Sequence, residues 1–411
     1  MVKIYQQGDR NLGLEGFELE ERIDFGRLRN QRLQKLQHSM KEDGVDALLL
    51  YDPQNIRYAT ATYNWPLFDS VTFFRYVIVP PDGKPILFEL PGVEFQRRKL
   101  FSPWIAEKLK ASISPQFSGP AQASVLRKWL ADLVGTLKAE GLHNGKLWVD
   151  RLDLNMHKAL ADANIEIMDA WPTIYKATVT KTKDELELLK QTATAVDAAL
   201  HVIYENIRPG IRERDLAALA EKELIADGCE YVYVMIISSS TNPYLRMTTD
   251  KPIRNGDLIV CDLNVGGPNG YHNDFTRTFL CGSKATPEQR QLYKQCYADL
   301  MLPMSKIKAG VSTAEVAKAF PMSEDDELKT VSLMQFAHGI GIHHYEPPIV
   351  SRAYSVEYPT KLEEDMFLAV ETYAGRQGGR QGVRLEENLI VTDEGYELVS
   401  LCPHDEKLID L

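Results

Sequence analysis

Cysteine is scarce in this chain. The 411 residues contain five (Cys229, Cys261, Cys281, Cys296 and Cys402), an odd, dispersed set with no CxxC pair. That argues against a disulfide framework and a zinc–thiolate site, and predicts buried, reduced thiols in a cytoplasmic protein. Long apolar runs are lacking too. No stretch approaches the roughly 18 uncharged apolar residues of a spanning helix, and the opening MVKIYQQGDR has no apolar signal-peptide core. Positive charge is in deficit, with 47 Lys and Arg against 58 Asp and Glu for a net charge of −11. A nucleic-acid groove or an anionic membrane surface wants a basic patch, so neither partner is expected. Low-complexity tracts and short repeats are absent. The stretch SSST (238–241) has no GxSxG elbow for a serine nucleophile. The turn GRQGGRQG follows no strand-to-helix pattern that would cradle phosphate.

What is present is ordinary globular composition, 44% hydrophobic and 26% charged, in a chain long enough for two or three domains. In the first 170 residues or so, helix-like and strand-like segments alternate. Phe25, Leu28, Leu33, Leu36 and Met40 recur at helical spacing before Gly44, and VDALLLY (45–51) reads as a buried strand. FFRYVIV, PPDG and KPILFEL read as a hairpin, and LRKWLADLVGTLKAEG as a helix before the strand KLWVD. These patterns predict an α/β domain over 1–176. Past a boundary between Trp171 and Lys181, Thr182 and Glu185 have capping-box spacing at the head of a long helix. Helices followed by strands and hairpins predict an α+β domain over 177–411.

Two hairpin-like units in the second half share an oddity, carboxylates inside apolar strands. In DLIVCDLNV, GGPNG and YHNDFTRTFL, Asp262 and Asp274 lie twelve residues apart; in MFLAVETYA, GRQGGRQG and VRLEENLIV, Glu371 and Glu386 lie fifteen apart. Period-2 alternation puts Asp262 on a face with Asn264, and Asp274 with Thr276. Each acid alone also reads as a salt-bridged or solvent-facing strand residue. Ionised carboxylates within such runs are costly unless neutralised. Four together carry −4, which two divalent cations match, and such pairs of ions are usual in co-catalytic hydrolase centres. HGIGIHHYEPP (338–348) supplies an imidazole. Spacing leaves open whether the two hairpins face one another.

These motifs resemble the pita-bread metalloenzymes (family M24), which include methionine aminopeptidase, aminopeptidase P and prolidase. CDLNVGGPNGYHNDFTRTF, the HGIG histidine His338, the strand of Glu371 and GVRLEENLIVTDEGYELVS match in order over most of 180–400. The resemblance implies a C-terminal pita-bread domain preceded by a creatinase/prolidase-like domain, and a homodimer. It also implies that Asp262, Asp274, His338, Glu371 and Glu386 hold two divalent ions, with Asp274 and Glu386 bridging. The ligand types suit manganese, iron, cobalt or zinc alike.

The departures point to one branch. Where family peptidases carry a second histidine seven residues after the HGIG histidine, this chain has Tyr345, and STNPYLRMTTDKPIRNGD lacks the family's Pro-His element. DPQNIRYATA (52–61), TNPYL (241–245) and the twelve-residue Asp spacing look like the iron-dependent dimethylsulfoniopropionate lyases, which cleave a C–S bond by β-elimination. That branch has an acidic residue where His344 stands, an Asp at Asn264 and an aromatic at Leu333. The expected activity is hydrolysis of a small amide or Xaa-Pro-type dipeptide, or else the lyase reaction. Glu371 would take a proton, His344 would act as acid or base, and Tyr345 would donate to an oxyanion. His344 also reads as an exposed loop residue beside His343, the His-His pair as a source of an extra metal ligand, and Tyr345 as packing. By the same resemblance Arg246, Arg376 and Arg380 border the site, placed to grip a substrate carboxylate or simply solvated. Tyr63, Trp65, Phe68, Phe73 and Phe74 read as core, or as a pocket wall across a dimer.

Overall fold

The structure is a computed structural model and describes residues 23–63, 73–238, 246–320, 335–375 and 380–409. Trp65, Phe68, Leu333, Arg376, 239–241 of SSST and TNPYL lie outside those residues. The chain divides into two compact units, and the division falls between Thr178 and Val179.

The first unit is built on a six-stranded mixed sheet of order β4-β3-β2-β1-β5-β6. Its strands are β1 (Leu48–Leu50), β2 (Tyr76–Val79), β3 (Ile86–Glu89), β4 (Leu109–Ala111), β5 (Lys146–Val149) and β6 (Glu166–Asp169). The expected hairpin is the antiparallel pair β2–β3. The helix Phe25–Asp43 starts on an Asp24 side-chain cap and stops at Gly44, whose φ of 66° is cheap only for glycine. A last helix, Trp171–Thr178, belongs to this unit rather than to the next. Its Thr173 hydroxyl and Lys176 ammonium reach Asp43 at 2.8 and 3.0 Å. Of the aromatic cluster, Phe73 meets Tyr51 edge-on at 5.3 Å, whereas Tyr63 is exposed.

The second unit opens with the helix Lys183–Asn206, which carries the predicted Thr182–Glu185 capping box, followed by the helix Glu213–Ala226. A three-stranded antiparallel sheet comprises β7 (Tyr231–Ser238), β8 (Leu258–Gly266) and β9 (His272–Leu280). A five-stranded sheet runs β11-β10-β12-β13-β14. Its members are β10 (Ala337–Gly339), β11 (Glu346–Val350), β12 (Phe367–Gly375), β13 (Gly382–Val391) and β14 (Tyr396–Leu398).

Alternation decides what each sheet shows to each side. Cys261, Leu263 and Val265 of β8 share a core with Val196, Leu200 and Leu216 of the two helices. Asp262 and Asn264 therefore face the other way. In the larger sheet Leu368, Val370, Leu385 and Leu389 pack with Tyr293, Cys296 and Leu300 of the helix Pro287–Met304. That turns Glu371 and Glu386, directly paired in register, to the opposite face. Hydrogen bonds join the two inner faces. Thr276 Oγ1 donates to Glu386 Oε2 at 2.8 Å, Asn388 Nδ2 to the Asp274 carbonyl at 2.9 Å, and Thr278 Oγ1 to the Arg384 carbonyl at 2.8 Å. The two hairpins do face one another. All five cysteines are buried and free, and among the described residues no helix is long and apolar enough to cross a membrane.

Candidate metal centre

The facing hairpins bring buried charge together. Asp262, Asp274, His338, Glu371 and Glu386 are all buried. One ligand atom from each of Asp274, His338 and Glu386 lies within 4.8 Å of the others. Asp274 Oδ1, His338 Nε2 and Glu386 Oε1 are buried without a hydrogen-bond partner. Orphaned buried polar atoms are costly, and one on each of three residues that sit this close together fits a divalent cation. His338 is oriented for it: its Nδ1 lies 3.0 Å from the Gly339 carbonyl, which fixes the tautomer and leaves the Nε2 lone pair facing the carboxylates. Oxygen donors with an imidazole suit a hard-to-borderline divalent ion.

Asp262 and Glu371 are tied in through an arginine. Arg384 Nη2 donates to Glu371 Oε2, and Nη1 lies 3.8 Å from Asp262 Oδ2. Asn264 Nδ2 donates to Asp262 Oδ1 at 2.6 Å. Burial pushes the Asp262 carboxyl up to about 7 against the pull of Arg384, with Asp274 and Glu371 adding repulsion. Burial and the charges of Asp274 and Glu371 drive Glu386 well above its usual range. Asp274 goes the other way, since the His338 and His344 imidazoles outweigh its burial. Without a cation, this cluster holds its charges at a price that bound metal would relieve.

The other expected site residues are placed as follows. His344 Nε2 lies 3.1 Å from Asp274 Oδ2. The Tyr345 ring stacks on His338 with centroids 4.0 Å apart. Arg246 does not offer its guanidinium to a substrate: buried Glu213 takes it bidentately, at 2.8 and 2.6 Å, because that carboxylate at the head of its helix needs a counter-charge. Arg380 is exposed.

Sequence reasoning missed Arg384, Gln335 and Arg277, and it put Thr276 on the face of Asp274 without giving it a role. Gln335 Nε2 donates to both the Tyr345 phenol, at 3.0 Å, and Glu371 Oε1, at 2.9 Å. Buried Arg277 donates to the Glu386 carbonyl at 2.6 Å and to Glu387 Oε1 at 2.7 Å. Arg384 was findable, because two residues before Glu386 on one strand is the same face.

The profile of metallopeptidase family M24 matches residues 187–393, half of the chain. This chain belongs to metallopeptidase family M24. The creatinase/prolidase N-terminal domain matches residues 32–104 of the same M24 protein. A dimethylsulfoniopropionate lyase, DddP, of Roseovarius nubinhibens is 27% identical over 94% of this chain and 88% of its own length. An Xaa-Pro dipeptidase of Pyrococcus furiosus is 27% identical over 89% of this chain and 96% of its own. Among solved structures, an Xaa-Pro dipeptidase from Bacillus anthracis superposes with a TM-score of 0.73 at 22% identity. It covers 92% of this chain and 99% of that one, which shows the pita-bread and creatinase-like fold. M24 enzymes typically use divalent metals, and the residues present here fit them.

Proposed function

We propose that this M24 protein is a metal-dependent hydrolase of a small amide or Xaa-Pro-type dipeptide. In this reading two divalent ions (Mn, Fe, Co or Zn) are held by Asp262, Asp274, His338, Glu371 and Glu386. The observation that carries it is that Asp274, His338 and Glu386 bring ligand atoms within 4.8 Å of one another and that each has a buried atom without a hydrogen-bond partner. Bound there, the ions supply Lewis acidity and activate water at neutral pH. Glu371 takes the proton of the attacking water and returns it to the leaving amine. Tyr345 donates its phenol proton to the developing oxyanion, as the histidine of related peptidases would. Desolvation of the ring against His338 and the charges of Asp274, Glu371 and Glu386 raise that phenol above its ordinary range, though 45% of the residue is exposed. Gln335 holds the phenol oxygen and Glu371 in one hydrogen-bonded line. With Arg246 engaged by Glu213, Arg376 and Arg380 are the arginines that would meet a substrate carboxylate. A cytoplasmic homodimer is the expected setting.

The second reading is lyase chemistry, favoured by the DddP likeness over 94% of the chain. A base removes the α-proton of dimethylsulfoniopropionate, the electron pair forms the alkene, and dimethyl sulfide leaves, giving acrylate. Against it, the acid that branch carries is His344 here, and Asn264, in place of its Asp, is spent on Asp262. Proton NMR of protein loaded with Mn(II) or Fe(II), incubated with Xaa-Pro dipeptides, N-acyl amino acids and dimethylsulfoniopropionate, separates the two. Loss of a dipeptide or N-acyl signal is the expected result. Acrylate and dimethyl sulfide in their place would overturn the hydrolase reading in favour of the lyase.

A further inference from the structure

We propose that Gln335 is a positioning residue: it fixes the direction of the Tyr345 phenol proton, so that Tyr345 meets substrate as a donor and not as an acceptor. This deepens the hydrolase reading above and rests on it. Gln335 Nε2 carries two protons and has two partners, the Tyr345 phenol oxygen at 3.0 Å and Glu371 Oε1 at 2.9 Å. Which end of the amide faces them is decided by Glu371, whose other oxygen is held by Arg384. An ionised carboxylate only accepts, so the NH2 end must face it. Turning the amide over would set its carbonyl oxygen against the carboxylate.

The consequence falls on Tyr345. A phenol oxygen has one proton to give and accepts through its lone pairs. With a Gln335 N–H directed at that oxygen, the phenol proton turns away from Gln335. Conjugation keeps a phenol O–H near the plane of its ring, and this ring is set by stacking on His338, with centroids 4.0 Å and planes 18° apart. Gln335 takes one in-plane direction and leaves the other to the proton. Both residues stand on fixed backbone. Beside Gln335, Phe336 N donates to the Val350 carbonyl at 2.7 Å, and the Phe336 carbonyl accepts from Glu371 N at 2.9 Å. Beside Tyr345, the buried Glu346 carboxylate accepts from His343 N at 3.0 Å and from buried Lys181 Nζ at 2.7 Å. Tyr345 is nearly half-exposed, so without Gln335 its hydroxyl would rotate between giving a proton to water and accepting one. A donor oriented in advance needs no reorganisation when charge develops on a substrate oxygen.

The test uses the full chain, saturated with Zn(II) and with its metal content confirmed. The probe is a phosphinic analogue of Ala-Pro, whose tetrahedral phosphorus presents an oxyanion, and its binding is measured by calorimetry. Tyr345→Phe is expected to weaken it about 100-fold and Gln335→Met about 3–10-fold. The double variant is expected to bind no more weakly than Tyr345→Phe alone, because Gln335 acts through the phenol. No loss in Gln335→Met, or the same loss with and without the phenol, overturns the inference. With whichever dipeptide or N-acyl amino acid the wild type hydrolyses, the same factors are expected in kcat, with KM little changed. If Gln335→Met misfolds, 15N NMR of the wild type decides. Slow exchange of both Gln335 side-chain protons with water is expected, and fast exchange of either overturns the inference. Metal-loaded wild type that neither binds the analogue nor hydrolyses any such substrate removes the hydrolase reading and this inference with it. Loss in Tyr345→Phe beside an unchanged Gln335→Met removes the positioning role alone.

Discussion

Glu386 Oε2 is held by a single hydroxyl, that of Thr276, at 2.8 Å, while its backbone carbonyl is held by Arg277. Replacing Thr276 with valine keeps the shape and removes the donor, so metal affinity should fall about 10–100-fold with the fold intact. Calorimetric metal titration of the stripped variant checks this, and unchanged affinity would show that the hydroxyl does not orient Glu386. At this scale the four acids were legible because a carboxylate in an apolar strand stands out against its neighbours. Arg384, two residues before Glu386, did not stand out, since an arginine beside a Gly-rich turn reads as solvated until its partners Glu371 and Asp262 are in place. Gln335 carries no charge to mark it, and alternation put Thr276 beside Asp274 without showing that its hydroxyl reaches Glu386. Arg246 was misjudged for a related reason: its partner Glu213 lies 33 residues away, and no pattern links them.

The turn from Gly341 to Glu346 depends on the Lys181–Glu346 pair. Burial alone would push the Glu346 carboxyl up, but the Lys181 ammonium and the His343 ring outweigh it and bring the group down to about 2. A folded-state pKa below the unfolded value of about 4.3 gives stability that is fully present above pH ~4.5 and lost as pH falls towards 2. Lys181→Met leaves a buried carboxylate without its counter-charge and should cost about 3–5 kcal/mol at neutral pH. Because Glu346 in that variant binds a proton readily, the deficit should narrow as the pH is lowered. Chemical denaturation from pH 7 to pH 3 measures it, and a deficit that does not change with pH would contradict the assignment. Elements themselves were largely readable. The capping box at Thr182, the glycine stop at Gly44 and the β2–β3 hairpin are local signals and appear where expected. The helix Trp171–Thr178 is tied into the first unit by a contact no local pattern shows, its Thr173 and Lys176 reaching Asp43 more than a hundred residues earlier.

For the whole molecule, the residues of the centre come from β8, β9, β10, β12 and β13, so a bound ion ties both sheets of the second unit together. Ligand binding to the folded state stabilises by mass action. Chelation should therefore raise hydrogen exchange in β8, β9, β12 and β13 while leaving β1, β2 and β5 of the first unit unchanged; equal loss in both units would contradict that. The facing of the two hairpins was the step that spacing could not supply. It is made by Thr276, Thr278 and Asn388, whose partners lie more than a hundred residues distant. The claim on which the rest depends is that the buried acids and His338 hold metal. Elemental analysis of metal-loaded, desalted protein tests it most directly. Two ions per chain are predicted for the wild type and well below one for Glu386→Ala, whereas full metal retention in that variant would contradict the account.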